Sequence, residues 1–155
     1  MTWSSGSGVG ATALSNLINA TSSMALADTY YAALYTSSGT PPAGATNLVY
    51  STTGEVSGTG YTAGGASIGS LTAAYNATGP VVVFSVSSGS VSWTTSTLSS
   101  VVGTMVYDHT TSHGTNVIAW MYFASGPYSS SAGTFQVTWS ASPVTGGIFD
   151  ITGVV

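Results

Sequence analysis

The stretch Asp108-His109-Thr110-Thr111-Ser112-His113 sets one carboxylate and two imidazoles within six residues, a donor set that divalent ions accept. Its surroundings weaken that chemistry. No second carboxylate follows nearby, and no repeated ligand spacing such as His-Glu-x-x-His occurs. The segment reads as a solvated hairpin loop between two strands, with no metal and no cofactor expected. Ser, His and Asp all occur, but fragments such as Gly6-Ser7-Gly8 and Gly89-Ser90 are expected by chance in so Ser- and Gly-rich a chain. No catalytic residue is assigned.

Glu55 is the more telling charge, because the chain contains no lysine or arginine to pair with it. Its partners must be hydroxyls, backbone N–H groups or another protein. Gly58, Gly60, Gly64 and Gly65 permit left-handed backbone and close approach, so the loop can fold back and offer N–H groups to the carboxylate. Alternatively, Glu55 meets a cation on another protein through a charge-assisted bond. On that second reading Trp3, Glu55, Gly58, Gly60, Tyr61, Gly64 and Gly65 are candidate interface residues.

Composition narrows the function further. Charged residues make up 3% of the 155, against about a quarter in ordinary soluble domains, and the net charge is −4. Without Lys or Arg the chain cannot neutralise phosphates, bind nucleic acid by its backbone or form a Schiff base. The absence of cysteine excludes disulfides, thiolate metal sites and a Cys nucleophile. Hydrophobic residues at 43% and aromatics at 11% argue against disorder. There is no apolar run of the length a membrane helix needs, and the start, MTWSSGSGVG, lacks the basic residues of an export signal.

The elements that must position these residues follow from periodicity. Residues 1–10 read as a flexible Gly/Ser arm carrying Trp3, and 11–155 as a single β-rich domain. Leu14, Leu17, Ile18, Thr21 and Met24 recur at helical spacing, which predicts one short N-terminal helix over about 11–25. From Tyr30 onward, short β-branched and aromatic runs alternate with Gly, Pro, Ser and Asn. Strands are predicted at Tyr30–Thr36, Val81–Ser87, Val91–Thr94, Val101–Asp108, Val117–Ala124, Phe135–Trp139 and Ile148–Ile151, with Val117–Phe123 placed centrally because it is almost wholly apolar. Residues 37–47 and the Gly/Thr segment 51–70 read as loops. The fold class is an antiparallel β-sandwich or barrel-like domain of about seven to nine strands, its helix lying against a sheet edge or face.

The segment Ser51-Thr52-Thr53-Gly54-Glu55-Val56-Ser57-Gly58-Thr59-Gly60-Tyr61-Thr62-Ala63-Gly64-Gly65 resembles a motif of small virion proteins of tailed bacteriophages. Further landmarks occur in the same order: a helix, then Ala32–Ser37, Val91-Ser92-Trp93-Thr94, Val106-Tyr107-Asp108, Val117–Phe123, the Ser-rich turn 129–133 and Thr134–Trp139. The likeness spans nearly the whole chain, although only the central motif is specific. It implies a non-enzymatic structural protein, first a capsid decoration (cement) protein bound to the major capsid protein on the outer head surface. The alternatives are a tail or head–tail connector component contacting tail proteins, or a glycan-binding fibre or adhesin module. Self-association, as a trimer for example, is expected, as is synthesis in the bacterial cytoplasm, without contact to nucleic acid or membrane. This chain departs from the family pattern in lacking the loop Lys, Arg and extra Asp residues.

Overall fold

In Tyr30-Tyr31-Ala32-Ala33-Leu34-Tyr35 apolar side chains fall on both faces of an extended chain, so such a strand is stable only when covered on each side. The computed structural model, which describes residues 8–19, 24–39, 48–76, 81–110, 112–139 and 149–152, gives it that cover. The order of elements is β1 (Gly8–Val9), α1 (Ala11–Asn19), β2 (Tyr30–Tyr35), β3 (Ala66–Gly69), β4 (Leu71–Asn76), β5 (Val81–Val86), β6 (Ser90–Val101), β7 (Gly103–Asp108), β8 (Val117–Tyr122), β9 (Tyr128–Thr138) and β10 (Phe149–Thr152).

The strands form a five-stranded sheet in the order β1-β8-β7-β2-β3, a three-stranded sheet β10-β5-β4 and a two-stranded ribbon β6-β9, with antiparallel pairing throughout. Among the described residues the fold is therefore mainly β with one short helix, as the composition of the runs implies. On one side of β2, Tyr30, Ala32 and Leu34 join a large core with Ile68, Phe84, Trp93, Val106 and Ile118. On the other, Ala33 and Tyr35 pack with Met105, Tyr107 and Val117 in a second cluster, against which Tyr50 is laid. All six residues of β7 are buried, which makes it the central strand of the large sheet. The predicted centre, the run from Val117, lies one place outward between β7 and the two-residue β1, and its second half is only half-buried.

Several boundaries differ from the expectation for identifiable reasons. Of the N-terminal arm, residues 1–7, including Trp3, lie outside the described residues, while Gly8 and Val9 pair with Trp120 and Ala119. The helix is described over Ala11–Asn19, and its buried stripe runs through Ala13 and Leu17, leaving Ile18 63% exposed. Met24, predicted within the helix, is buried beyond it. Two strands, β3 and β4, arise where a loop and no strand, respectively, were expected. Among the described residues no helix is long and apolar enough to cross a membrane.

The ribbon is longer than Val91–Thr94 and Phe135–Trp139 suggested because its alternation is interrupted. Buried Val91, Trp93, Ser96, Leu98 and Val101 follow a period of two that slips by one residue twice. Register shifts on β6 fall between Trp93 and Ser96 and between Leu98 and Val101, and one on β9 falls between Gly133 and Ser130. Each spans a non-glycine residue at positive φ: Thr95 at 52°, Ser100 at 57° and Ala132 at 47°. These are β-bulges, whose left-handed position costs an L-residue about 1 kcal/mol. Ala132→Gly is therefore expected to raise stability by at most about 0.5 kcal/mol, after glycine's extra unfolded-state entropy is counted, and Ala132→Val to lower it. Urea unfolding midpoints of the two variants check both signs.

Candidate functional site

The motif 51–65 builds its structure along the edge of β2. Beyond the end of β3, that edge is taken up by Gly54–Val56: Thr36 N–H donates to Gly54 O at 2.9 Å, Val56 N–H donates to Leu34 O at 2.9 Å, and Glu55 bridges Tyr35. The chain then crosses to β6, where Thr59 bridges Thr97. Glycine is required at both contacts. A Cβ on Gly58 would stand 2.2 Å from Thr97 O, and one on Gly65, at φ +75°, would stand 1.9 Å from Ala32 O.

This path brings Glu55 among tyrosines. Its Oε1 accepts from Tyr61 Oη at 2.7 Å and from Gly64 N–H at 2.7 Å, while Oε2 accepts from Tyr50 Oη at 2.5 Å. Tyr61 Oη in turn accepts from Leu34 N–H at 2.9 Å, and Tyr107 Oη donates to Gly64 O at 2.8 Å. Tyr50 stacks on Tyr107 with ring centroids 4.4 Å apart. Of the two readings of Glu55, the geometry realises a carboxylate that orders its own loop, since donors of the same chain occupy both oxygens. Gly64 supplies one of them. Gly60, at φ +76°, turns against the backbone of Thr94–Ser96.

The electrostatics hold the clasp together. Burial, followed by the hydrogen bond to Glu55, pushes the Tyr50 and Tyr61 hydroxyls well above the usual tyrosine range. Burial and the nearby Glu55 charge act on Tyr35 in the same direction, and push Tyr107 up to about 12. Phenols that hold their protons this firmly, around a carboxylate with both oxygens engaged, are poor acid–base partners. One fragment, Gly65-Ala66-Ser67-Ile68-Gly69, spells Gly-x-Ser-x-Gly. It does not make a nucleophile elbow, because Ser67 lies within β3 opposite Tyr31 and not on a strand-to-helix turn.

The histidine segment is rearranged. Asp108 closes β7, opposite Tyr30, and His113 returns to it from the following loop. His109 turns away and stacks on Tyr31 at 4.0 Å. The place that spacing gave to His109 is taken by Asp28, from the turn before β2: His113 Nδ1 lies 2.8 Å from Asp28 Oδ2 and 3.4 Å from Asp108 Oδ2. The hydrogen bond to Asp28 raises His113 above the ordinary imidazole value, and burial raises Asp108. Sequence spacing could not find Asp28, which is 85 residues from His113. The available signal was that only four carboxylates exist in the chain.

A second feature is an open groove of about 460 Å³ along β9, lined by Phe123, Tyr128, Phe135 and Gln136 among others.

Glu55→Gln removes the charge from two O–H donors and one N–H donor, and Tyr61→Phe strands Leu34 N–H and leaves Glu55 Oε1 with Gly64 N–H alone. Each is expected to cost about 2–3 kcal/mol, read from urea unfolding. Alkaline pH should act on the same network. Because the folded chain holds the Tyr107 proton to about 12 against an ordinary 10.0, its contribution is intact below pH 10.0 and is lost as pH rises through about 12. The last part of the rise in tyrosinate absorbance, from the buried tyrosines around Glu55, should therefore coincide with the loss of the folded circular dichroism signal. Ionisation of all nine tyrosines in a chain that remains folded would contradict this.

Compared with known proteins, the chain matches no family model, no curated sequence and no solved structure.

Proposed function

We propose that the chain is a non-enzymatic structural protein of a tailed-bacteriophage particle, a decoration protein seated on the outer face of the head. The observation that carries this reading is the likeness of residues 51–65 to the motif of small phage virion proteins. The geometry of the motif is compatible with such a role. Its carboxylate and glycines are used within the chain, so it forms a clasped, neutral ledge that exposes Ser57–Gly60, Thr62 and Ala63. The outer face of β6 adds a row of hydroxyls, with Ser92, Thr94, Thr95, Thr97, Ser99 and Ser100 all exposed.

On this reading attachment to the major capsid protein is by shape, apolar contact and neutral hydrogen bonds. Such contacts are little affected by salt, because screening acts on charges and the chain carries few. Many copies on a symmetric lattice would oppose its opening through multivalency. The lack of basic residues favours the outer surface, since a protein facing packaged DNA gains from phosphate contacts. The test is subtomogram localisation of labelled protein on purified particles. Label spread regularly over the head, with shells that rupture at a higher temperature when decorated and retain the protein in high salt, is the expected result. Label confined to the tail would overturn the decoration reading and assign the chain to the tail.

A further inference from the structure

Two carboxylates and one imidazole meet in this molecule from three separate segments: Asp28 from the turn before β2, Asp108 from the end of β7 and His113 from the loop before β8. Their donor atoms lie within 4.8 Å of one another. Asp108 is fully buried. Its Oδ1 accepts from Thr110 N–H at 2.7 Å, but Oδ2 has no hydrogen-bond partner and faces His113 Nδ1. A buried carboxylate oxygen without a donor is costly, and the usual remedy of a lysine or arginine does not exist in this chain.

From this geometry we infer that Asp28 Oδ2, Asp108 Oδ2 and His113 Nδ1 bind one divalent transition-metal ion of the zinc type. Bonds of about 2.0–2.2 Å to a tetrahedral or octahedral ion place neighbouring ligand atoms about 2.8–3.5 Å apart. The two separations from His113 Nδ1, 2.8 and 3.4 Å, fall in that range. The ion takes the place of the proton between Nδ1 and Asp28 Oδ2, while Ala25 N–H, 2.6 Å from the same oxygen, remains as its support. One nitrogen and two oxygen donors suit zinc or its neighbours better than calcium or magnesium, which favour all-oxygen shells. Entry is from the surface, because the side chains of His113 and Asp28 are 19% and 11% exposed. The bound ion staples the turn before β2 to the β7–β8 loop.

The test uses the full-length, tag-free chain, stripped with EDTA and titrated with ZnCl2, with CaCl2 and MgCl2 as comparisons. One equivalent of Zn2+ should bind, and at about 100 times Kd it should raise Tm by about 5–10 °C. His113→Ala should weaken binding at least tenfold, and His109→Ala should leave it unchanged, since His109 stacks elsewhere. Should Asp108→Asn not fold, His113→Ala, at a partly exposed side chain, carries the comparison. The absence of saturable Zn2+ binding to the folded wild-type chain would overturn the inference. So would equal binding by His113→Ala, and equal affinity for Ca2+ or Mg2+ would overturn the zinc-type assignment.

Discussion

A carboxylate in this chain has no lysine or arginine to meet, so each must be satisfied by neutral donors, by histidine or by a cation from outside. That constraint organises the molecule. Glu55 resolves it with two phenols and one backbone N–H, and each donor has a further attachment: Tyr61 to Leu34 N–H, Tyr50 by stacking on Tyr107, and Gly64 through its carbonyl to the Tyr107 hydroxyl. The charge therefore fixes a loop whose Val56 and Tyr61 pack on the first core cluster, while its partner Tyr50 lies against the second. The same constraint makes the tyrosines structural, since a phenol offers a donor at the end of an apolar body that can be buried.

Hydroxyls do comparable work in the β6–β9 ribbon, where the bulges leave gaps in the backbone ladder. Ser96, fully buried, donates to Gly133 O at 3.2 Å and lies 2.8 Å from Ser130 Oγ, which also accepts from Leu98 N–H. Thr97 Oγ1 accepts from Ala132 N–H at 3.1 Å, beside the third bulge. Short side chains that carry both a donor and an acceptor can bridge such gaps without charge. The high Ser and Thr content is thus partly internal wiring and not only a neutral surface.

This explains which parts of the fold were legible in the sequence. Almost wholly apolar runs such as Tyr30–Tyr35, Val81–Val86 and Val117–Tyr122 were readable because their composition favours burial. Val91 to Val101 was not, because Thr95 and Ser100 each insert one residue and shift the alternation out of phase, so a strict period-two reading stops at Thr94. The β3 strand was hidden by Gly65 and Gly69, which read as turn residues and here serve close approach and a bend. In the candidate site, the fold-back role of Glu55 and its glycines could be inferred from the missing cations. The tyrosines Tyr50 and Tyr107, 5 and 52 residues away, and the pairing of Asp28 with His113 depend on strand order and register, which no local pattern encodes.

The charges are also spaced in a way that the register imposes. Across the edges of β2, Tyr30 faces Asp108 and Tyr35 faces Glu55, so the two carboxylates mark opposite ends of one strand. Five residue steps separate those ends by about 17 Å, and Coulomb repulsion falls with that distance. Mutual repulsion between them is therefore small, and a net charge of −4 is tolerated without cations. Asp28 and Asp108 are the exception, since the turn into β2 returns one carboxylate to the end of the strand where the other already sits. Among the described residues this is where charge accumulates in spite of the fold's general dispersal, and His113 stands between the pair. A neutral imidazole can donate one proton from Nδ1, to one carboxylate at a time, and the shorter contact is with Asp28. Asp108 Oδ2, the more buried of the two partners, is left with the weaker contact, so this end of β2 is the point at which positive charge would stabilise the fold most.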